Sequence, residues 1–213
     1  MSAVRKPFEG PDRERALADY ARLAPAYDAS CKRILALREA AIAALRLRPG
    51  ETVFDVACGT GAALPALAAA VAPSGRVIGI EQSPQMASRA SARVAHVACC
   101  EVVETSVEDL AIAARADAML FCYTHDVLQS ARALERLRAH ARPGCRVAVL
   151  GIRLLPWSWG FALNAFTLAR AHRYFTSFRG LRKPWAQLEK DCPGLKPSRH
   201  FHLGTSYLAV GRY

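Results

Sequence analysis

The sequence predicts an α/β fold: a three-layer αβα sandwich on a mostly parallel seven-stranded sheet with an antiparallel last strand. Three observations predict it. Short β-rich apolar runs alternate with segments of helical periodicity as far as Ile152. Proline–glycine pairs such as Pro49-Gly50 and Pro143-Gly144 mark boundaries between them. A glycine turn, Gly59-Thr60-Gly61, sits where the first strand hands over to a helix.

The elements follow in order. Asp12–Leu23 and Ala26–Leu47 read as two leading helices divided at Pro25. Thr52–Ala57 is the first strand, and Ala62–Val71 is a helix closed by Pro73-Ser-Gly75. Arg76–Glu81 is a second buried strand, followed by the helix Pro84–Val94 with proline in its first turn, where the missing N–H costs nothing. Val97–Val103, Ala118–Tyr123 and Cys145–Ile152 are the next three strands, with a helix over Asp126–Ala141. Beyond Ile152 the pattern loosens. Trp157–Tyr174 reads as an aromatic helix, Pro184–Asp191 as a short helix, and Arg199–Leu203 with Ser206–Gly211 as an antiparallel hairpin.

Strands separated by helices form βαβ units, and such sheets bind ligands beyond the carboxyl ends of their strands, where strand order reverses. Functional residues are therefore expected just after Ala57, Glu81, Val103 and Tyr123.

A chain of 213 residues with 52% hydrophobic content fits one domain with one sizeable core. The opening Met1–Gly10 has no apolar signal core, so no secretion signal is expected. Seven cysteines, with no C-x-x-C pair, argue against a disulfide framework and a zinc site; no metal is expected, and a reducing cytoplasm is the simplest location. Val147–Ala169 is nearly all apolar, but Arg153, Pro156 and Asn164 interrupt it, so it divides into a strand and a helix and does not span a membrane. The formal net charge is +11, and beyond Ile152 ten basic residues face only Glu189 and Asp191. That basic balance, beside Trp157, Trp159, Phe161 and Phe166, suits an anionic membrane surface as a partner. The stacking and phosphate-binding modules that mark nucleic-acid binders are not evident, so nucleic acid is disfavoured.

The central feature is Asp55-Val-Ala-Cys-Gly-Thr-Gly61. Glycines there let the backbone turn sharply and approach a ligand, and the following helix offers free N–H groups to an anion. Glu81 ends the next strand, where a carboxylate can accept both hydroxyls of a ribose. A dinucleotide fingerprint needs a third glycine where Leu64 stands, and there is no G-x-x-x-x-G-K-[ST], so neither NAD nor a P-loop is supported.

At this point the chain resembles the class I S-adenosylmethionine-dependent methyltransferases. VFDVACGTGAAL resembles the family's first motif, RVIGIEQSPQM the second, Thr105–Leu110 the adenine-binding segment, Ala116–Tyr123 the fourth motif, and Arg142–Val147 the turn into the fifth strand. The likeness runs over residues 20–152 and keeps motif order. Ala57 stands where the family's first glycine usually is, and Ser106 where an acid often opens the adenine segment. The resemblance implies a Rossmann-like fold and S-adenosyl-L-methionine as cofactor. It implies that Asp55, Ala57, Gly59, Thr60 and Gly61 surround the methionine part, and that Glu81 takes the ribose. Gln82 and Met86 would line the base, Ser106 and Val107 would bond adenine, and Tyr20 and Tyr27 would lie over the cofactor. Tyr123 would line the pocket.

Methyl transfer mainly requires alignment and exclusion of water, with a base only where the acceptor arrives protonated. Thr124-His125-Asp126 follows the fourth strand, so His125 is the candidate base and Asp126 a candidate to orient it, bind an amine or cap the next helix. Residues 1–48 form cap helices, 49–153 the cofactor core, 154–198 an acceptor lid and 199–213 the hairpin. The aromatic lid points to a small hydrophobic or aromatic acceptor. A phospholipid head-group amine is the alternative acceptor, and a cofactor-binding scaffold without methyl transfer the alternative class. The chain is expected to be a monomer or homodimer.

Overall fold

The computed structural model describes residues 10–213; the segment 1–9, on which the expectation about a secretion signal rests, lies outside them. Seven strands form one sheet: β1 (Thr52–Val56), β2 (Arg76–Glu81), β3 (Cys100–Glu104), β4 (Ala116–Cys122), β5 (Ala141–Ile152), β6 (Lys196–Phe201) and β7 (Ser206–Arg212). Their order is β3-β2-β1-β4-β5-β7-β6. The first five run parallel, and β7 pairs antiparallel with both β5 and β6. Strand order reverses between β1 and β4, whose carboxyl ends therefore flank the crevice.

The helices are α1 (Arg13–Leu23), α2 (Tyr27–Cys31), α3 (Leu35–Ala44), α4 (Leu64–Val71), α5 (Pro84–Val94), α6 (His125–Gln129), α7 (Ala131–Ala139) and α8 (Trp157–Ala171). Local chemistry sets their starts. Asp12 accepts the Arg15 amide at 3.0 Å and caps α1, and Pro84 fixes the first turn of α5.

Alternation along the strands divides the core between the two faces of the sheet. Phe54, Val56, Met119 and Phe121 meet Leu134, Leu137 and Trp185 on one face. Val53, Ala118 and Leu120 meet Leu45, Leu64 and Leu67 on the other. A third, small cluster of Leu154, Phe175 and Leu181 lies against Leu168 and Ala171 of α8.

Several boundaries differ from the sequence reading, each for a local reason. The helix expected over Ala26–Leu47 is two pieces, α2 and α3, joined by a 3-10 turn at Lys32–Ile34. The helix expected over Asp126–Ala141 breaks at Ser130, which leaves helical geometry and caps α7 by accepting the Ala133 amide at 3.2 Å. Residues 97–99 are a turn, so β3 starts at Cys100. Pro143-Gly144 does not end a helix; β5 already begins at Ala141, paired with Ala116. Pro184–Asp191 holds only a 3-10 turn at Leu188–Lys190, because a run this short cannot nucleate an α-helix unaided.

Candidate active site and cofactor cleft

The turn after β1 and the end of β2 are tied together by one carboxylate. Glu81 accepts the Gly59 amide on Oε2 and the Ser83 amide on Oε1, each at 2.8 Å. Burial raises the Glu81 pKa, and the amides of Ser83, Gly59 and Gln82 oppose the rise. The turn itself uses left-handed backbone at Ala57 (φ 53°), Gly59 (φ 58°) and Gly61 (φ 71°). Gly61 is required by packing as well, since a Cβ there would meet the Ala90 Cβ at 2.9 Å. Ala57 has no such excuse, and an alanine held at positive φ stores strain at the tip of β1.

Asp55 lies two residues before Ala57, 2% exposed, and its Oδ2 has no hydrogen-bond partner among the described residues. Burial pushes its pKa up to about 7; the Arg38 cation opposes the rise and the Glu81 carboxylate adds to it.

A cavity of about 130 Å³ opens in front of the two tips. It collects eleven of the residues singled out in the sequence: Tyr20, Tyr27, Ala57, Gly59, Glu81, Gln82, Ser106, Val107, Tyr123, His125 and Asp126. The other four stand behind the wall. Asp55 and Thr60 are buried, Gly61 packs on Ala90, and Met86 is fully buried inside α5 and lines no part of the cavity.

Tyr27 roofs the turn, since a Cβ on Gly59 would reach its ring at 3.6 Å. Its ring sits edge-on to Tyr20 at 6.2 Å and to Tyr174 at 6.1 Å, and Tyr20 donates to the Tyr174 carbonyl at 2.8 Å. Asp28, which the sequence reading gave no role, holds this roof down: it accepts the Thr60 hydroxyl at 2.5 Å and pairs with Arg93 of α5. Ser106 spends its hydroxyl locally, donating to Asp109 Oδ2 at 2.7 Å and accepting the Asp109 amide at 3.2 Å. It therefore caps the 3-10 turn Val107–Asp109 and holds Val107 at the cavity wall.

A second cavity, about 520 Å³, lies beside the first. Tyr27, Tyr123, Thr124, His125 and Tyr174 line both and form the wall between them. Tyr123 is itself at positive φ (61°), so the chain turns sharply where β4 enters this wall. Leu128, Leu150, Ile152, Leu163 and Phe175 make the second cavity mostly apolar. Three of its buried polar atoms lack partners among the described residues: Thr124 Oγ1, His125 Nδ1 and Tyr207 Oη. Cys31, Leu150 and Tyr207 were not singled out in the sequence, because only tertiary packing brings α2, β5 and β7 to one cavity.

His125 Nε2 lies 2.9 Å from the Arg179 carbonyl. A carbonyl can only accept, so Nε2 carries the proton and, in the neutral ring, Nδ1 keeps a lone pair. Burial lowers the His125 pKa; the Asp126 carboxylate and the carbonyls of Arg179 and Ser177 oppose the drop. Asp126 does not hydrogen-bond the ring. It accepts the Thr176 amide at 2.8 Å, the Thr176 hydroxyl at 2.9 Å and the Ser177 amide at 3.3 Å, anchoring the segment after α8. Of the lid aromatics, Phe166, Tyr174 and Phe175 line the second cavity, while Trp157, Trp159, Phe161 and Phe178 project outward. Among the described residues no group of His, Cys, Asp and Glu is placed to hold a metal, and no helix is long and apolar enough to cross a membrane.

The residues fit an adenosyl sulfonium cofactor. The Glu81 carboxylate, with about four acceptor sites against the Gly59, Ser83 and Gln82 amides, keeps acceptor capacity for a ribose hydroxyl. Gly59 and Glu81 both line the cavity, so the turn's backbone and this carboxylate face the same space.

The comparisons agree. The methyltransferase domain family matches residues 53–144. An uncharacterized 37.1 kDa protein in transposon TN4556 of Streptomyces fradiae is 38% identical over 112 residues, covering 50% of this chain and 31% of its own length. A demethylmenaquinone methyltransferase of Symbiobacterium thermophilum is 46% identical over 54 residues, covering 25% of this chain and 22% of its own. The chain thus spans less than a third of the length of the curated relatives it matches. The N-methyltransferase NodS from Bradyrhizobium japonicum WM9, solved in complex with S-adenosyl-l-homocysteine, superposes with a TM-score of 0.62 at 15% identity over 93% of this chain and 98% of that one. Over residues 53–144 the chain is similar to the methyltransferase domain family, and its seven-stranded sheet has the fold of solved S-adenosylmethionine-dependent methyltransferases.

Proposed function

We propose that the chain is an enzyme that transfers a methyl group from S-adenosylmethionine to a small, apolar or aromatic molecule. The observation that carries this reading is the shared wall: one cavity beside the glycine turn and a larger apolar one meet across Tyr123, Thr124 and His125. The larger cavity, about 520 Å³, is the size of an ordinary small-molecule site.

In this reading Asp55, Gly59, Glu81, Gln82 and Val107 hold the cofactor, which supplies an electrophilic methyl group when bound. The protein's part is to align and to exclude water. Tyr20, Tyr27 and Tyr174 roof the cleft, and Asp28 keeps the roof on the turn. The acceptor's apolar body rests against Leu128, Leu150, Leu163 and Phe175. Its polar end meets Thr124 Oγ1 and His125 Nδ1, the unpartnered atoms of the wall. A hydroxyl acceptor delivers its proton to Nδ1, because the Arg179 carbonyl holds the other ring nitrogen protonated.

Incubating the protein with S-adenosylmethionine and a panel of apolar phenols, amines and enols, and measuring S-adenosylhomocysteine, tests the proposal. Tight cofactor binding with no product across the panel favours a scaffold that does not transfer methyl groups.

A further inference from the structure

The helix α8 is unusually bare. Of its fifteen residues only Gly160 and Asn164 are buried. Asn164 fastens it by accepting the Leu155 amide at 2.9 Å and donating to the Leu155 carbonyl at 3.0 Å. The aromatic side chains turn the other way: Trp159 is 64% exposed, Phe161 67% and Phe166 61%, with Trp157 packed on Phe161. Across the cavity mouth Leu203 is 78% exposed, held out by left-handed backbone at His202 and Leu203. Six of the seven large exposed apolar side chains among the described residues fall between Trp157 and Leu203. A patch of this kind on a water-soluble surface marks a contact site.

Two cations, Arg33 and Arg170, stand on the rim of the same surface, and the segment that builds most of it is basic in sequence. From Arg153 onward the chain has ten basic residues against two acidic ones, and both acids are already paired, Glu189 with Lys183 and Asp191 with Arg138. Arg170 stacks its guanidinium over the Phe166 ring at 5.2 Å, so charge and aromatic face sit together. Arg33, Phe166, Arg170 and Leu203 are all exposed, and all line the 520 Å³ cavity, forming its rim.

We propose that α8 and the rim formed by Phe166, Arg170 and Leu203 dock on an anionic lipid bilayer. An apolar, cationic surface matches a partner that offers both hydrocarbon and negative charge. A second copy of the chain offers hydrocarbon but the same positive charge. A nucleic acid offers phosphate without hydrocarbon. The helix lies in the interface plane, since no helix among the described residues is long and apolar enough to span. The docking surface stands on its own observations. Its consequence, that a lipid-dissolved acceptor passes from the leaflet through the rim, rests on the methyl-transfer reading.

Vesicle flotation of the whole chain tests it. Vesicles of phosphatidylglycerol mixed with phosphatidylcholine should carry the protein at low salt, release it at high salt, and shift Trp emission to the blue. Vesicles of phosphatidylcholine alone should carry at least about tenfold less, as the charge contribution is lost. Trp159→Ala with Phe166→Ala should reduce flotation by about tenfold or more, and Trp159→Phe should keep it. Both positions are exposed, and an unchanged circular-dichroism melt confirms folding. No flotation on anionic vesicles, or flotation indifferent to the double substitution, overturns the proposal. So does a solution dimer that the double substitution splits, or capture of single-stranded RNA in place of vesicles. Because flotation needs no methyl transfer, an inactive protein that floats refutes only the enzymatic reading.

Discussion

The Gly59 amide and the Glu81 carboxylate are joined by a 2.8 Å hydrogen bond, so the turn after β1 and the tip of β2 are one rigid unit. Glu81 also holds the Ser83 amide, and both amides lose their acceptor if it is removed. Glu81→Ala is expected to weaken S-adenosylhomocysteine binding at least tenfold, about 1.4 kcal/mol, measured by calorimetry. Unchanged affinity would remove Glu81 from the site.

Asp55 links stability to pH. Its pKa in the fold is about 7, above the ordinary carboxylate value near 3.8. The fold therefore favours the neutral acid; the benefit is complete below the unfolded value and is lost as pH rises through the folded one. Asp55→Asn should melt higher than the parent at pH above 7 and lose that advantage on acidification. If Asp55 holds the cofactor as proposed, the same substitution should also weaken cofactor binding, measured by calorimetry. A melting difference independent of pH contradicts this account.

Ala57 at φ 53° can be relieved. Ala57→Gly should raise stability by up to about 1 kcal/mol, and the melting temperature by about 2–4 °C for a chain of this size. Ala57→Val should do the reverse, since a β-branched residue fits left-handed backbone worse. Scanning calorimetry decides it.

For His125, removal of the base should slow methyl transfer to a hydroxyl acceptor by about a hundredfold or more in His125→Gln, with cofactor affinity unchanged. The pKa of His125 is lowered by burial, so the neutral ring persists at neutral pH and below. Both the rate and the stability contribution of the neutral ring should fall as pH drops from the ordinary histidine value through the lower folded one. A rate independent of the substitution, for phenol acceptors, assigns His125 to packing.

Asp126 acts through Thr176, which also accepts the Asp12 amide at 2.9 Å. One threonine thus knots the start of α1, the start of α6 and the segment after α8. Asp126→Ala should destabilise the fold by about 1–3 kcal/mol and speed amide hydrogen exchange at residues 175–178 well beyond the rest of the chain. Uniform exchange changes would show that the anchor is not local.

The sequence by itself determined the strand–helix alternation, the bounds of Arg76–Glu81 and Pro84–Val94, and the glycine turn with its acid partner. These rest on local chemistry: β-branched runs, proline in a first turn, and glycine where the backbone bends. The tertiary structure alone decided which side chains face the cleft. Met86 and Gln82 are neighbours of the same turn, yet Met86 is buried in α5 and Gln82 lines the cavity. Asp126 reads as a partner for His125 but is claimed by Thr176, fifty residues later. Asp28 and Tyr207 carry no motif, and only packing brings them to the site. Periodicity and turn chemistry are properties of neighbours along the chain. A shared wall between two cavities is a property of strand order and of contacts across long sequence separations, which no short pattern encodes.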